Sequence, residues 1–361
     1  MVNIFIIRKQ THSPHSSLSP GGVLVLGGLV FPLFSPGQGS LKGLILLNIG
    51  AALFGSNQVA IKEAEEVISA GTLTALRFGL AALIFSPAAF RGLQDKRIRD
   101  ASLELGFWLF LGYSAQAVGL VTTDASRGAF TGTFTVLTVP ILVSLLDRDR
   151  SIPISTWGAA VAAIFGVSLL VGDPTSTPPN AGDLWCIISA VMFGIHKFRT
   201  ESVTSCIQDT TALVACQLSI VAVSATLICI PEASTYVHQL AAEAASGADV
   251  GTALWENLAG WPWLNVLYMG LMTTALTLWI EVEALKDVSA PLAALIYSAE
   301  PLWGALFAWL ILDERWGTTG WVGAALVVAS SLFGQNQGDP TRKPAAVCEP
   351  AAEDDGDVKG K

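Results

Sequence analysis

Ten stretches of about twenty predominantly apolar residues, separated by short charged or turn-forming segments, constrain this chain more than any other feature. They run approximately 42–62, 70–90, 103–121, 126–146, 154–172, 182–198, 211–231, 263–284, 289–312 and 319–335. A hydrocarbon core of about 30 Å is crossed by about 20 helical residues, so each stretch is long enough for one passage. Backbone groups in lipid must be bonded within their own segment, which makes helices the expected form. The expected fold class is therefore all-α integral membrane, with ten transmembrane helices and the lipid bilayer as a partner. Composition agrees: 14% of residues are charged and 52% hydrophobic, where soluble domains carry roughly 25% and 45–50%. The net charge of -9 forms no single-sign block of the kind that binds nucleic acid, so no nucleic-acid partner is expected. The cysteines in or beside apolar stretches read as buried free thiols, with no C-x-x-C pair and no zinc-like spacing.

The distribution of cations tests the span count independently. With the residues before the first span placed inside, sixteen of the twenty Lys and Arg side chains fall in inside segments. Only Lys62, Arg127 and Arg315 fall outside, and Arg77 lies within a span. One missed helix would invert every later loop and scramble that bias. Both termini are expected on the cytosolic side, in a plasma or organellar (plastid) membrane. Residues 1–40 read as a lead-in, either an organellar presequence or a disordered or interfacial segment, because residues 1–62 contain no acidic side chain. Residues 337–361, which include EDDGD, read as a disordered acidic tail.

An internal repeat runs through the apolar stretches. Gly43 and Phe54–Gly55 in the first match Gly182 and Phe193–Gly194 in the sixth. Pro140 in the fourth matches Pro301 in the ninth, and Gly158 in the fifth matches Gly323 in the tenth. The expected domains are five-helix halves at 41–172 and 181–336, joined by the turn-rich GDPTSTPPNAGD, with a long outer loop at 232–262. Two copies of an odd number of helices in one chain must lie in opposite orientations, the inverted-repeat arrangement of secondary transporters.

Motifs narrow the chemistry. There is no G-x-S-x-G, no H-E-x-x-H and no acidic cluster within a span, so an embedded enzyme is the weaker reading and neither a cofactor nor a metal is expected. There is no P-loop either, so transport would be facilitative, by exchange, or coupled to protons. A channel remains the alternative to a carrier.

FGSNQVAIK and LTALRF in the first two spans, ASRGAFTGTFTVLTVP in the fourth and GDLWCIISAVMFG in the sixth form an ordered set. YMGLMTTAL in the eighth and SAEPLWGALFAWLILDE in the ninth, followed by WVGAALVV, complete it. Over residues 41–336 the chain resembles an EamA-type member of the drug/metabolite transporter superfamily. That resemblance implies an alternating-access carrier of small organic metabolites, amino acids or similar solutes, with a substrate cavity between the halves.

Ionisable groups in hydrocarbon are functional candidates because each costs several kcal/mol to insert. Glu300, near the middle of the ninth span, is the leading one, expected to bind substrate or a coupling proton. Pro301 beside it has no N–H, so the carbonyl of Tyr297 loses its helical partner and Tyr297 joins the site. Arg77, about 10 Å into the second span, and Lys62, at the end of the first, are the cationic candidates for a substrate carboxylate. Asn57 and Gln116 are polar groups inside spans that bond neighbouring helices or face a cavity. His196 reads as interfacial, and Glu281 and Glu283 as lying near the inner boundary, with at least one paired to a loop cation such as Lys286.

Overall fold

The computed structural model describes residues 23–26, 29–32, 41–120, 122–123, 130–147, 151–171, 180–245, 249–311 and 317–336. Residues Val23–Leu26 (β1) and Leu29–Pro32 (β2) pair as an antiparallel hairpin with Leu26 opposite Leu29. The rest of the lead-in, the acidic tail, Gly128, Glu314 and Arg315 lie outside the described residues.

From residue 41 onward the described chain is helical. The first five elements are α1 (Leu41–Glu65), α2 (Ala70–Gln94), α3 (Lys96–Leu120), α4 (Thr135–Leu146) and α5 (Ile154–Val171). Then follow α6 (Ala181–Thr204), α7 (Thr210–Ala245), α8 (Val250–Ala259) and α9 (Trp263–Tyr268). A π-helical segment, Met269–Leu276, carries α9 into α10 (Thr277–Ala284). The last three are α11 (Ala290–Tyr297), α12 (Glu300–Ile311) and α13 (Thr318–Asn336).

Among the described residues four helices are long and apolar enough to cross a membrane: Ala70–Gln94, Ala181–Thr204, Thr210–Pro231 and Trp263–Ala284. Shorter apolar helices lie at Leu41–Asn57, Phe130–Leu146, Ile154–Leu169 and Thr318–Phe333. Their ends follow local chemistry. Ser69 caps α2 by accepting from the Thr72 N–H, and Asn180 and Asp183 close a reciprocal capping box at the start of α6. The ninth apolar stretch divides at Ser298–Ala299, between α11 and α12, where Pro301 supplies no N–H to the carbonyl of Tyr297.

One expectation fails here. Residues 232–262 are not an extended loop: α7 continues through Pro231 to Ala245, and α8 follows. Five of the fourteen residues after Pro231 are Ala, joined by Glu232, Gln239, Leu240 and Glu243, all good helix formers, and one proline leaves most of the helix's hydrogen bonds intact.

The surface is apolar where a soluble protein would be charged. Leu83, Phe90, Leu145, Val161, Phe165 and Ile228 are all exposed, while Gln217, Thr277 and His196 are buried. Outward apolar and inward polar groups suit a lipid surround. Cys186 and Cys216 are buried free thiols, as expected.

Helix pairing is reciprocal. Helix α2 packs on α7 and α5 on α13. Helix α1 packs on α10 and α12, while α6 packs on α3 and α4. Two glycines mark close approaches of matching kind. A Cβ on Gly55 would fall 2.8 Å from the Glu300 carbonyl oxygen and 2.7 Å from the Gly304 nitrogen; one on Gly194 would fall 2.6 Å from Thr138 Cγ2. In each case the partner helix has its proline close by, Pro301 or Pro140.

Candidate functional site

A central cavity of about 150 Å³ lies between α1, α2, α3, α4, α6, the π segment, α10 and the α11–α12 break. Asn57, Arg77, Gln116, Tyr297 and Glu300 all line it. The side chain of Lys62, the sixth candidate, lies outside the described residues, as does that of Gln58.

Each candidate has a distinct setting. Asn57 accepts a short hydrogen bond from Thr273 in the π segment, which ties α1 to the eighth apolar stretch. A π turn widens the helix and recurs at functional sites. Arg77 is 7% exposed and stacks against two rings, its Cζ being 5.1 Å from the centroid of Phe78 and 5.2 Å from that of Tyr113. Its Nε makes no hydrogen bond, and it has no carboxylate partner within ion-pair distance among the described residues. Tyr297 packs edge-on against Phe54 at 5.6 Å, with its buried hydroxyl beside Glu281. Glu300 opens α12, half-buried and engaged with neighbouring groups.

Three further ionisable groups complete the lining. Lys197 Nζ lies 2.6 Å from Glu281 Oε2 and 4.6 Å above the Tyr297 ring. His196 Nδ1 lies 3.6 Å from Glu281 Oε1, and its Nε2 is 2.9 Å from Gln217 Oε1. The interfacial reading of His196 is therefore wrong, since it is 1% exposed and lines the cavity. Glu281 lies within about a turn of the end of α10, as expected, and is buried against Lys197 and His196. Helix α6 runs on to Thr204, which places residues 196 and 197 about two turns inside its end. Opposite charges at matching depth on the sixth and eighth apolar stretches were the available signal.

The cavity has unequal ends. Toward the α1–α2 turn lies a second space of about 110 Å³ lined by Glu65, Thr74 and Leu73, with Arg77, Tyr113 and Gln116 common to the walls of both. At the opposite end the helices are tied together. Glu283 meets Lys42 at 2.7 Å, Lys286 at 2.9 Å and the Thr210 hydroxyl at 2.8 Å. Arg199 forks onto both oxygens of Glu104, and Glu201 accepts from the Ala290 N–H at 3.0 Å. The expected Glu283–Lys286 pairing is present. The groups arranged here can hold a small polar solute in a protein-lined space.

The sequence model of the EamA-like transporter family matches residues 41–172 and 248–333, more than half of the chain. The chain belongs to the EamA-like transporter family. Family membership and its apolar helices make it an integral membrane transporter. This EamA-like chain is 26% identical over 305 residues to YicL, named an uncharacterized inner membrane transporter, from Salmonella typhimurium, covering 81% of this chain and 94% of that protein. An uncharacterized transporter of Archaeoglobus fulgidus is 30% identical over 164 residues, 44% of this chain and 50% of that one. A solved crystal structure shares the fold with a TM-score of 0.61 at 16% identity, covering 80% of this chain and 94% of the other.

Proposed function

We propose that this EamA-like protein is a secondary carrier that moves a small organic solute by alternating access through the central cavity. In this reading the two halves, 41–172 and 181–336, are inverted five-helix repeats, both termini are cytosolic, and the ten apolar stretches are ten spans. The observation that carries the reading is the asymmetric cavity: polar and ionisable groups from many helices surround one space, a second space lies beside it toward the α1–α2 turn, and ion pairs tie the helices together at the opposite end. A carrier caught in one of its two states has that form.

Support for the inverted repeat comes from the reciprocal pairing. If α1 corresponds to α6, α3 to the π segment with α10, and α4 to α12, then the packing of α1 on α10 and α12 is repeated by α6 on α3 and α4. The self-paired contacts, α2 with α7 and α5 with α13, are those that lie across a pseudo-two-fold axis. Support for the size class comes from the volume, since a cavity of about 150 Å³ holds a molecule of roughly benzene size.

Purified protein in liposomes, preloaded with one member of a metabolite panel and diluted into the same labelled solute, tests the reading. Saturable uptake accelerated by internal unlabelled solute is the expected result. Uptake that is linear in concentration and indifferent to the internal solute would mark a channel and overturn it.

A further inference from the structure

We infer that the transported solute is an organic anion whose carboxylate binds Arg77. This inference rests on the carrier reading and names the substrate class of the same cavity. Four observations point to it. Arg77 is more than nine-tenths buried, and its Nε has no hydrogen-bond partner. No carboxylate lies within ion-pair distance of it among the described residues, whereas Lys197, the other described cation of the cavity, is neutralised by Glu281 at 2.6 Å. The Arg77 guanidinium stacks on Phe78 and Tyr113. Finally, Arg77 lines both the central cavity and the space beside Glu65, so an incoming solute passes it.

The chemistry follows from those positions. A guanidinium in a low-dielectric site is costly without a counter-charge. Aromatic stacking occupies its faces but satisfies none of its five N–H donors, which project from its edge. A rigid planar fork fits a carboxylate through two parallel hydrogen bonds. A solute anion therefore supplies what the protein leaves out. Glu65, which lines the adjoining space, acts on Arg77 electrostatically but lies beyond ion-pair distance, so no described carboxylate bonds the guanidinium directly.

Thermal unfolding of the full chain in lipid nanodiscs, at matched ionic strength, provides the test. The probes are sodium carboxylates of two to six carbons, with the corresponding primary amides and alkylammonium chlorides. At least one carboxylate should raise the Tm saturably, while its amide and ammonium analogues should not. Arg77→Gln should unfold near the parent's temperature without solute, because no protein ion pair is lost, and should bind that carboxylate at least tenfold more weakly. Arg77→Lys, which keeps the charge but not the fork, should be intermediate. The inference is overturned if no carboxylate stabilises the parent, if amides or ammonium ions do so equally, or if Arg77→Gln keeps the carboxylate effect. Should Arg77→Gln fail to fold, undiminished carboxylate binding by Arg77→Lys overturns it. Counterflow of the same solutes separates the two readings. Amide or ammonium flux without carboxylate flux leaves the carrier standing and removes the anion, and carboxylate binding through Arg77 without any flux does the reverse.

Discussion

Lys197 and Glu281 form a 2.6 Å ion pair in the wall of the central cavity, with their side chains only 12% and 4% exposed. Lys197 also lies over the Tyr297 ring, so this pair joins α6, α10 and the end of α11 at one place. Removing one partner strands a buried charge, at a cost of roughly 3–5 kcal/mol. Lys197→Met should therefore lower the unfolding temperature markedly, and the double variant Lys197→Met with Glu281→Met should recover most of the loss. Differential scanning fluorimetry on the purified variants checks this. Equal destabilisation by the single and double variants would show that the pair is not the source of the effect.

Glu283 gathers Lys42, Lys286 and Thr210 at the tied end of the bundle. Lys42 is largely exposed, so its bond alone contributes little, but Glu283→Gln weakens all three contacts together. A shift of about 1 kcal/mol changes a two-state population about fivefold. Spin labels at the exposed positions Leu41 and Gln208 should then report a larger fraction of long distances by double electron–electron resonance. An unchanged distance distribution would mean that the network does not hold this end closed.

The sixteen-to-three split of cations over ten spans predicts an orientation with both termini cytosolic. Cysteines introduced at Asp95 and Gln208 should be labelled from the cytosolic side of sealed vesicles, and one at Ala241 from the opposite side. Labelling of Ala241→Cys from the cytosol would contradict both the span count and the inverted halves.

Much of this architecture was legible from elementary constraints. The apolar lengths revealed the helices, and Pro301 announced the break after Tyr297 because a missing N–H cannot be replaced within a helix. Arg77, Glu300, Asn57 and Gln116 stood out because polar groups in hydrocarbon demand an explanation, and all four line one cavity. Hydropathy was silent on residues 232–245, since it reports what prefers lipid and not what is helical. It also misjudged His196, because depth counted from the end of an apolar run ignores how far α6 extends past it. The stacking of Arg77 on Tyr113 depends on which helices are neighbours, which one chain's periodicity does not encode.

Glu300 sits where the ninth stretch divides, beside the cavity and next to Pro301. If it carries a coupling proton, Glu300→Gln should abolish transport or its dependence on pH between 5 and 8 while the protein still folds. Parent-like transport across that range, in protein with a parent-like unfolding temperature, would leave Glu300 only a structural role.

Alternating exposure of the cavity is the central claim, and Ser298 is placed to test it. This residue is 1% exposed, lines the cavity and lies at the α11–α12 break. Ser298→Cys, in a background without the free native cysteines, can be challenged with a membrane-impermeant thiol reagent from either face of sealed proteoliposomes. Reaction from each face is expected, with Glu283→Gln accelerating labelling from the α10–α11 side and slowing it from the α1–α2 side. Acceleration from both faces together would indicate a continuous pore, and reaction from one face alone under every condition would contradict alternating access.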